Sequence, residues 1–244
     1  MSFDRAAFET MKRKNAQAQA HDEKLKRLAL DFIADSDHYG YGYQWTWLGM
    51  PIIQMPQDIL VTQEIIWQTK PDLIIETGVA WGGSIVFYAS LLQLIGKGRV
   101  IGIDTVLPEK NRREIMKYPF SPRIALYEGS STDPEVLRKV TSNIRPNDTV
   151  MVALDSNHTH DHVLEELRLY GQLVTRGQYM IVSDTIVDDI PQQTHRPRPW
   201  GPGNNPKTAV KAFLKEESAF VIDTAVVERL LITYSIDGYL RRVR

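Results

Sequence analysis

Cysteine is absent from all 244 residues. That gap excludes disulfide frameworks, thiolate zinc sites, iron–sulfur clusters and cysteine nucleophiles, and it fits a reducing compartment. Long apolar runs are missing as well: nothing approaches the roughly 20 residues that span a bilayer, and the opening MSFDRAAFETMKRKN lacks the apolar middle of a signal peptide. Net charge is nearly nil, since 29 Lys and Arg stand against 30 Asp and Glu and leave −1. Holding nucleic acid by phosphate neutralisation is therefore not expected. What is present, 43% hydrophobic and 24% charged residues, suits one globular domain with a full-sized core. We expect a cytoplasmic protein with no membrane span and no nucleic-acid partner, and an enzyme if a site is found.

Residues 1–57 form an expected N-terminal helical extension followed by an aromatic-rich cap segment. The first 37 or so are polar and free of Gly and Pro, with Leu25, Leu28, Leu30, Phe32 and Ile33 loosely at helical spacing. Such a helix packs on the domain or on a neighbouring subunit. The stretch HYGYGYQWTWLGMPIIQMPQ (38–57) places five aromatics between His38 and Trp47, then two prolines. It is no regular helix, and it either caps the core or lines a pocket.

Residues 58–244 read as the main domain. Short apolar runs, LIIET (73–77), RVIGID (99–104), IALYEG (124–129), TVMVALD (149–155) and QYMIVSD (178–184), alternate with helix-like segments over 84–95, 133–143 and 159–174. That alternation predicts right-handed βαβ crossovers, hence an α/β fold with a mostly parallel sheet and helices on both faces. Residues 188–206 hold five prolines and two glycines, as a lid loop or a disordered insert would. A helix over 207–217 follows. The ending, AFVIDTAVV then RLLITYSIDGYLRRV, reads as two tightly joined antiparallel strands that close the sheet, with a further turn at Asp237-Gly238.

Ligands of open parallel sheets collect at the carboxyl ends of the strands. The first strand runs into E-T-G-V-A-W-G-G-S (76–84), where Gly78, Gly82 and Gly83 allow a tight turn and Ser84 can cap the helix. Ala80 stands where the dinucleotide fingerprint has its second glycine, so a pyrophosphate cradle is poorly served. Asp104 ends the second strand at the offset of a carboxylate that accepts from ribose hydroxyls; the bland alternative is a helix cap. After the third strand, E-G-S-S-T-D (128–133) offers Ser130 and Ser131 to an adenine edge, unless Ser131, Thr132 or Asp133 caps the next helix.

Asp155 and Asp184 end the fourth and fifth strands. Side by side they repel one another unless a cation joins them, and a hard divalent ion such as magnesium, with Ser183 or Thr185 as an auxiliary oxygen, answers that. Otherwise one caps a helix and the other bonds a loop. Among His158, His160 and His162, a helix capped by Thr159 leaves the last two as surface or supporting groups. His158, three residues past Asp155, overhangs the cation and can take a proton near neutral pH.

These motifs resemble the cation-dependent class I S-adenosylmethionine-dependent O-methyltransferases. More closely, Q-x-P-Q-D (54–58), Q-E-I-I-W (63–67), P-D-L-I-I-E-T-G (71–78), L-D-S-N-H-T-H-D-H-V (154–163), R-P-W-G-P-G-N-N-P-K-T-A-V (198–210) and D-G-Y-L-R-R (237–242) are similar to the cephalosporin hydroxylase family. Its relatives include sugar O-methyltransferases of macrolide and rhamnosyl tailoring. The resemblance implies a Rossmann-like methyltransferase domain over 58–244, with a seven-stranded sheet, S-adenosylmethionine and Mg2+ as cofactors, a sugar or natural-product hydroxyl as acceptor, and a homo-oligomer. It implies that Glu76, Gly78 and Gly82 surround the methionine part of the cofactor, and that Val79, Ala80, Ser84 and Asp155 also contact the cofactor. By the same resemblance Asp104 holds the ribose, Ser130 or Ser131 lies by the adenine, Asp155 and Asp184 ligate the metal, and His158 is the base. One departure stands out: Ser183-Asp184-Thr185 replaces the E-D-T common among relatives, which lowers the negative charge available to a cation.

The resulting mechanism is cation-assisted methyl transfer with His158 removing the proton, under a loop whose His195, Arg196, Arg198 and Trp200 are placed to close over the acceptor or else pack against the body or another subunit. The family's name keeps a second reading open, a β-lactam-type hydroxylase or a protein that binds S-adenosylmethionine and assists one. The iron-oxygenase tripeptide H-x-D, however, is absent.

Overall fold

A computed structural model describes residues 3–244. Its elements are α1 (Arg5–Ala20), α2 (Glu23–Ser36), β1 (Trp45–Trp47), β2 (Met50–Ile52), α3 (Pro56–Thr69), β3 (Leu73–Thr77), α4 (Gly83–Ile95), β4 (Arg99–Asp104), α5 (Glu109–Ile115), β5 (Ile124–Glu128), α6 (Pro134–Ser142), β6 (Val150–Leu154), α7 (His160–Gly171), β7 (Tyr179–Val182), α8 (Pro206–Glu216), β8 (Phe220–Ile222), α9 (Thr224–Val227) and β9 (Tyr239–Arg242).

Seven strands form one sheet in the order β5-β4-β3-β6-β7-β9-β8. The first five are parallel, while β9 runs antiparallel to both β7 and β8. Every residue of β3, β6 and β7 is buried, as a parallel strand covered on both faces requires. One apolar cluster joins α3 and α4 to the sheet, and a second joins α6, α7 and α8 to its other face. The chain leaves β3 toward β4 and β5, then returns to β6 and β7 on the other side. The crevice therefore opens at the carboxyl ends of β3 and β6.

The aromatic segment before α3 both caps the core and lines the pocket. Its hairpin β1–β2 sets Trp47 edge-on to Phe87 with the indole N–H on Ser90 Oγ at 3.0 Å, and it leads into Ile53 and Gln54 on the cleft. Helix α2 docks through Ala29 and Ile33, whereas α1 buries no residue. Ile33 joins Met55, Ile186 and Ile190 in a third apolar cluster that ties this extension to the turn after β7.

The end of the chain departs from the expected tight hairpin. Residues 229–238 run irregularly between α9 and β9 because buried Asp58 collects them: its carboxylate accepts from the Thr233 hydroxyl, from Tyr234 N at 2.9 Å and from the Tyr239 hydroxyl at 2.8 Å. The Pro-rich loop is folded, not disordered. Asn205 donates to Asp188 and to the Gly201 carbonyl, and Gly201 pairs with Asn204.

Candidate active site

A cleft of about 290 Å3 occupies the crevice, near the lower end of the range for small-molecule sites. Its floor is the turn Gly78–Trp81, its back wall is Asp155, His158 and Asp184, one side is Gln54 and Tyr43, and its roof is Arg196, Arg198 and Trp200 from the Pro-rich loop.

The floor is shaped by close approach. Gly78 has φ +89°, and a Cβ there would lie 1.9 Å from the Asp155 carbonyl oxygen; Gly83 approaches the Pro51 carbonyl in the same way, at 2.2 Å. Only glycine permits either contact. Ala80 holds φ 46°, the left-handed region, because Asp104 Oδ2 accepts from Val79 N at 2.8 Å and Ala80 N at 2.9 Å. Asp104 thus braces the turn, and it lies outside the cleft lining.

Beneath the floor, Glu76 is fully buried at the end of β3. Ser84 donates to its Oε2 at 2.7 Å, which is where the serine hydroxyl goes instead of capping α4. Glu76 Oε1 has no partner, nor does Gln54 Oε1. Burial, with Asp104 adding to it, pushes the Glu76 carboxyl up to about 8 despite hydrogen bonds from Ser84 and Tyr88.

The back wall brings together three of the expected residues. One ligand-type atom each from Asp155, His158 and Asp184 lie within 4.8 Å of one another. His158 Nε2 sits 3.3 Å from Asp184 Oδ2, and Trp200 meets the imidazole edge-to-face at 4.8 Å. Asp184 itself has φ 56°, a left-handed conformation that aims its side chain from the start of a 3-10 turn. Burial, then Asp184, Glu76 and Glu166, drive the Asp155 carboxyl well above the usual carboxylate range; the Ser183 hydroxyl, bonded to it, pulls the other way. Two facing carboxylates with an imidazole and no thiolate are a donor set for a hard or borderline divalent cation. The two unpartnered acceptors beside the glycine turn fit a ligand that carries hydrogen-bond donors.

Several expected residues are placed differently. Thr185 is fully buried and its hydroxyl points to the Tyr234 carbonyl at 3.5 Å, so it turns away from the carboxylates. Ser131 is buried with its hydroxyl 3.2 Å from His162 Nε2, and Ser130 bonds Thr132 at 3.1 Å; neither lines the cleft. Asp133 is the cap of α6. His195 is absent from the cleft lining: its Nε2 lies on Asp37 Oδ2, and its ring stacks on His38 at 4.0 Å. Arg198 and Trp200 do line the cleft, with the guanidinium 5.5 Å over the indole. His160 and His162 hold structure, as expected: His160 Nδ1 bonds Thr208 Oγ1 at 2.8 Å, and His162 joins Ser156 and buried Glu166.

Sequence reasoning missed Tyr43, Asp37, Gln54 and Tyr234 on the cleft, and Asp58 and Glu166 behind it. Gln54 and Asp58 stood inside the Q-x-P-Q-D motif, which was the only available signal. The others pair across more than 100 residues of chain or answer a polar group that the sequence does not display.

Residues 39–243 match the family model described as Rhamnosyl O-methyltransferase/CmcI. A rhamnosyl O-methyltransferase of Mycobacterium tuberculosis is 30% identical over 197 residues, which cover 76% of this chain and 75% of that protein. The Mycobacterium leprae protein of the same name is 29% identical over 200 residues, covering 80% and 82%. Among solved structures, a CmcI complex with magnesium and S-adenosylmethionine aligns at TM-score 0.57 and 20% identity, over 83% of this chain and 78% of that one. An O-methyltransferase from Bacillus cereus with S-adenosylhomocysteine aligns at TM-score 0.52 and 13% identity, over 79% and 81%. These two share the fold. The chain belongs to the Rhamnosyl O-methyltransferase/CmcI family and, with it, to the S-adenosylmethionine-dependent O-methyltransferases.

Proposed function

We propose that the protein methylates a hydroxyl of a sugar-type acceptor from S-adenosylmethionine with the help of Mg2+. The observation that carries this reading is the Asp155, His158 and Asp184 group facing the glycine turn across one cleft. The rhamnosyl names of the mycobacterial relatives support the acceptor class. Glu76, Gly78, Val79 and Ala80 would seat the cofactor, and Asp155 and Asp184 would hold the cation, with the Ser183 hydroxyl bonded to Asp155. When bound, the cation supplies Lewis-acid charge and the cofactor an electrophilic methyl group.

The chain's own residues supply position and proton transfer. His158 Nε2 lies 3.3 Å from Asp184 Oδ2; in the tautomer that carries its proton on Nε2, His158 would keep the Nδ1 lone pair for the acceptor proton, the arrangement of an oriented base. Trp200 fixes the imidazole plane from the side. The Pro-rich loop closes the cleft above both, excluding water and limiting the attack angle of the acceptor oxygen.

The test is methyl transfer from labelled S-adenosylmethionine to a rhamnosyl glycoside, with and without Mg2+, in the absence of iron, 2-oxoglutarate and reductant. Magnesium-stimulated formation of a methyl ether is expected. Turnover that strictly requires iron and a reductant, with no methylated product, would overturn the reading in favour of a hydroxylase.

A further inference from the structure

Helix α7 packs Val163, Leu164 and Leu167 into the apolar cluster on one face of the sheet, yet it carries Glu166 among them, fully buried. A carboxylate in such a place is costly unless its oxygens are engaged, and a leucine would fill the volume at less cost. One oxygen, Oε2, has no partner among the described residues. The other, Oε1, accepts from the Ser156 hydroxyl at 2.7 Å. His162, one helical turn earlier, holds its Nε2 3.5 Å from the same oxygen and 3.2 Å from Ser156 Oγ. What the buried carboxylate does, then, is hold a serine.

That serine stands where the chemistry is. Ser156 lines the cleft and lies in the turn between β6 and α7, next to Asp155 and two residues before His158. Other anchors sit at the two ends of this turn: Asp155 N donates to the Thr77 carbonyl at 2.8 Å, and His160 N donates to Asn204 Oδ1 at 2.9 Å. In the middle the turn presses on the cleft floor, since a Cβ on Gly78 would lie 2.9 Å from Ser156 N. Gly78 stops it from moving one way, and the bond from Ser156 to Glu166 stops it from moving the other. With that bond gone, the turn is free to carry Asp155 and His158 away from the floor, and a misplacement of about 1 Å can cost about 10²-fold in rate.

We propose that Glu166 is a positioning residue for methyl transfer: through the Ser156 hydroxyl it sets the turn that presents Asp155 and His158 to the cleft, and His162 steadies the pair. This rests on the methyl-transfer reading and adds to it a residue that lies outside the cleft lining.

A double-substitution cycle on the full chain tests the role, read in methyl transfer from S-adenosylmethionine to a rhamnosyl glycoside and, separately, in Mn2+ affinity from its paramagnetic signal. Ser156→Ala and Glu166→Leu should each lower kcat by about 10- to 100-fold and weaken Mn2+ by about tenfold, the scale of a lost partner behind a metal ligand. The KM for S-adenosylmethionine should stay within about threefold, because Asp104 braces the glycine turn independently. The two losses should not add: the double variant should match the worse single variant within about threefold, since both remove one bond. Glu166→Gln, whose amide oxygen still accepts from Ser156, should recover most of the loss. Additive losses, or full kcat and Mn2+ affinity in Ser156→Ala, overturn the role of Glu166, and the serine variant decides by itself should Glu166→Leu not fold. An unaltered protein that forms no methyl ether overturns the methyl-transfer reading itself, and this role with it.

Discussion

His195 Nε2 lies 2.7 Å from Asp37 Oδ2, and Arg196 reaches the other oxygen of the same buried carboxylate at 2.6 Å. The Pro-rich loop is thus fastened to the segment that precedes the main domain, 158 residues earlier in the chain. Arg196 adds a bond to the Tyr43 hydroxyl at 2.8 Å. Asp37→Asn should cost about 1–3 kcal/mol of stability, the usual penalty for stripping a buried charged bond. Amide exchange across residues 192–205 should accelerate by about tenfold, reporting the open loop. Unchanged exchange there would show that the loop is held by packing alone.

His158→Ala should lower the methyl-transfer rate by about 10²–10⁴-fold, the range of a lost general base. Affinity for S-adenosylhomocysteine should stay within about threefold, because the role proposed for His158 is toward the acceptor and not the cofactor. Asp155→Ala should abolish the stimulation by Mg2+ and the binding of Mn2+ followed by its paramagnetic signal. Full metal-stimulated activity in Asp155→Ala would refute its ligand role.

Asp58 carries a built-in pH dependence. Burial pushes its carboxyl from 3.8 to about 6, against the hydrogen bonds from Thr233, Tyr234 and Tyr239. The folded state therefore holds this proton more tightly than the unfolded chain does, and stability from this group falls as pH rises from about 4 to about 6. The total is of order 3 kcal/mol, at about 1.4 kcal/mol for each pKa unit. Urea midpoints measured at pH 4.5 and 6.5 should differ less in Asp58→Asn than in the unaltered protein; an identical slope would remove Asp58 as the cause.

Two glycines of similar backbone conformation should respond differently to alanine. Gly78→Ala puts a Cβ 1.9 Å from the Asp155 carbonyl, where neither backbone can yield. The loss should exceed about 3 kcal/mol or prevent folding. Gly96, at φ +85°, has nothing within 4 Å of a Cβ. Gly96→Ala should cost only the left-handed strain, about 1–2 kcal/mol. Equal denaturation midpoints for the two variants would contradict the close approach of β3 and β6.

The sheet could be read from the sequence because its strands are buried on both faces and display themselves as continuous apolar runs. LIIET and RVIGID match β3 and β4 residue for residue. Helix α5 escaped notice since EKNRREI has no apolar face beyond Ile115. Residues 229–238 read as strand because Leu230, Leu231 and Ile232 suggest one, and only the buried carboxylate of Asp58 diverts them. Asp155, His158 and Asp184 were legible at strand ends, where parallel sheets concentrate chemistry. The true bonding of Thr185, Ser131 and His195 was not, because a hydroxyl or imidazole in a turn can face two ways and its distant partner decides which. Ser183 does touch Asp155, though as a hydrogen-bond donor.

The three bonds that Asp58 makes to Thr233, Tyr234 and Tyr239 join positions 175 to 181 residues apart. Loop closure over such a span is entropically expensive until the intervening sheet has been assembled. This clasp is then a late event in folding, and one that can open locally without unravelling β3 to β7. Tyr234, which the clasp positions, is part of the cleft wall. The pocket would acquire that wall only once the clasp has closed, after the parallel strands are already in register.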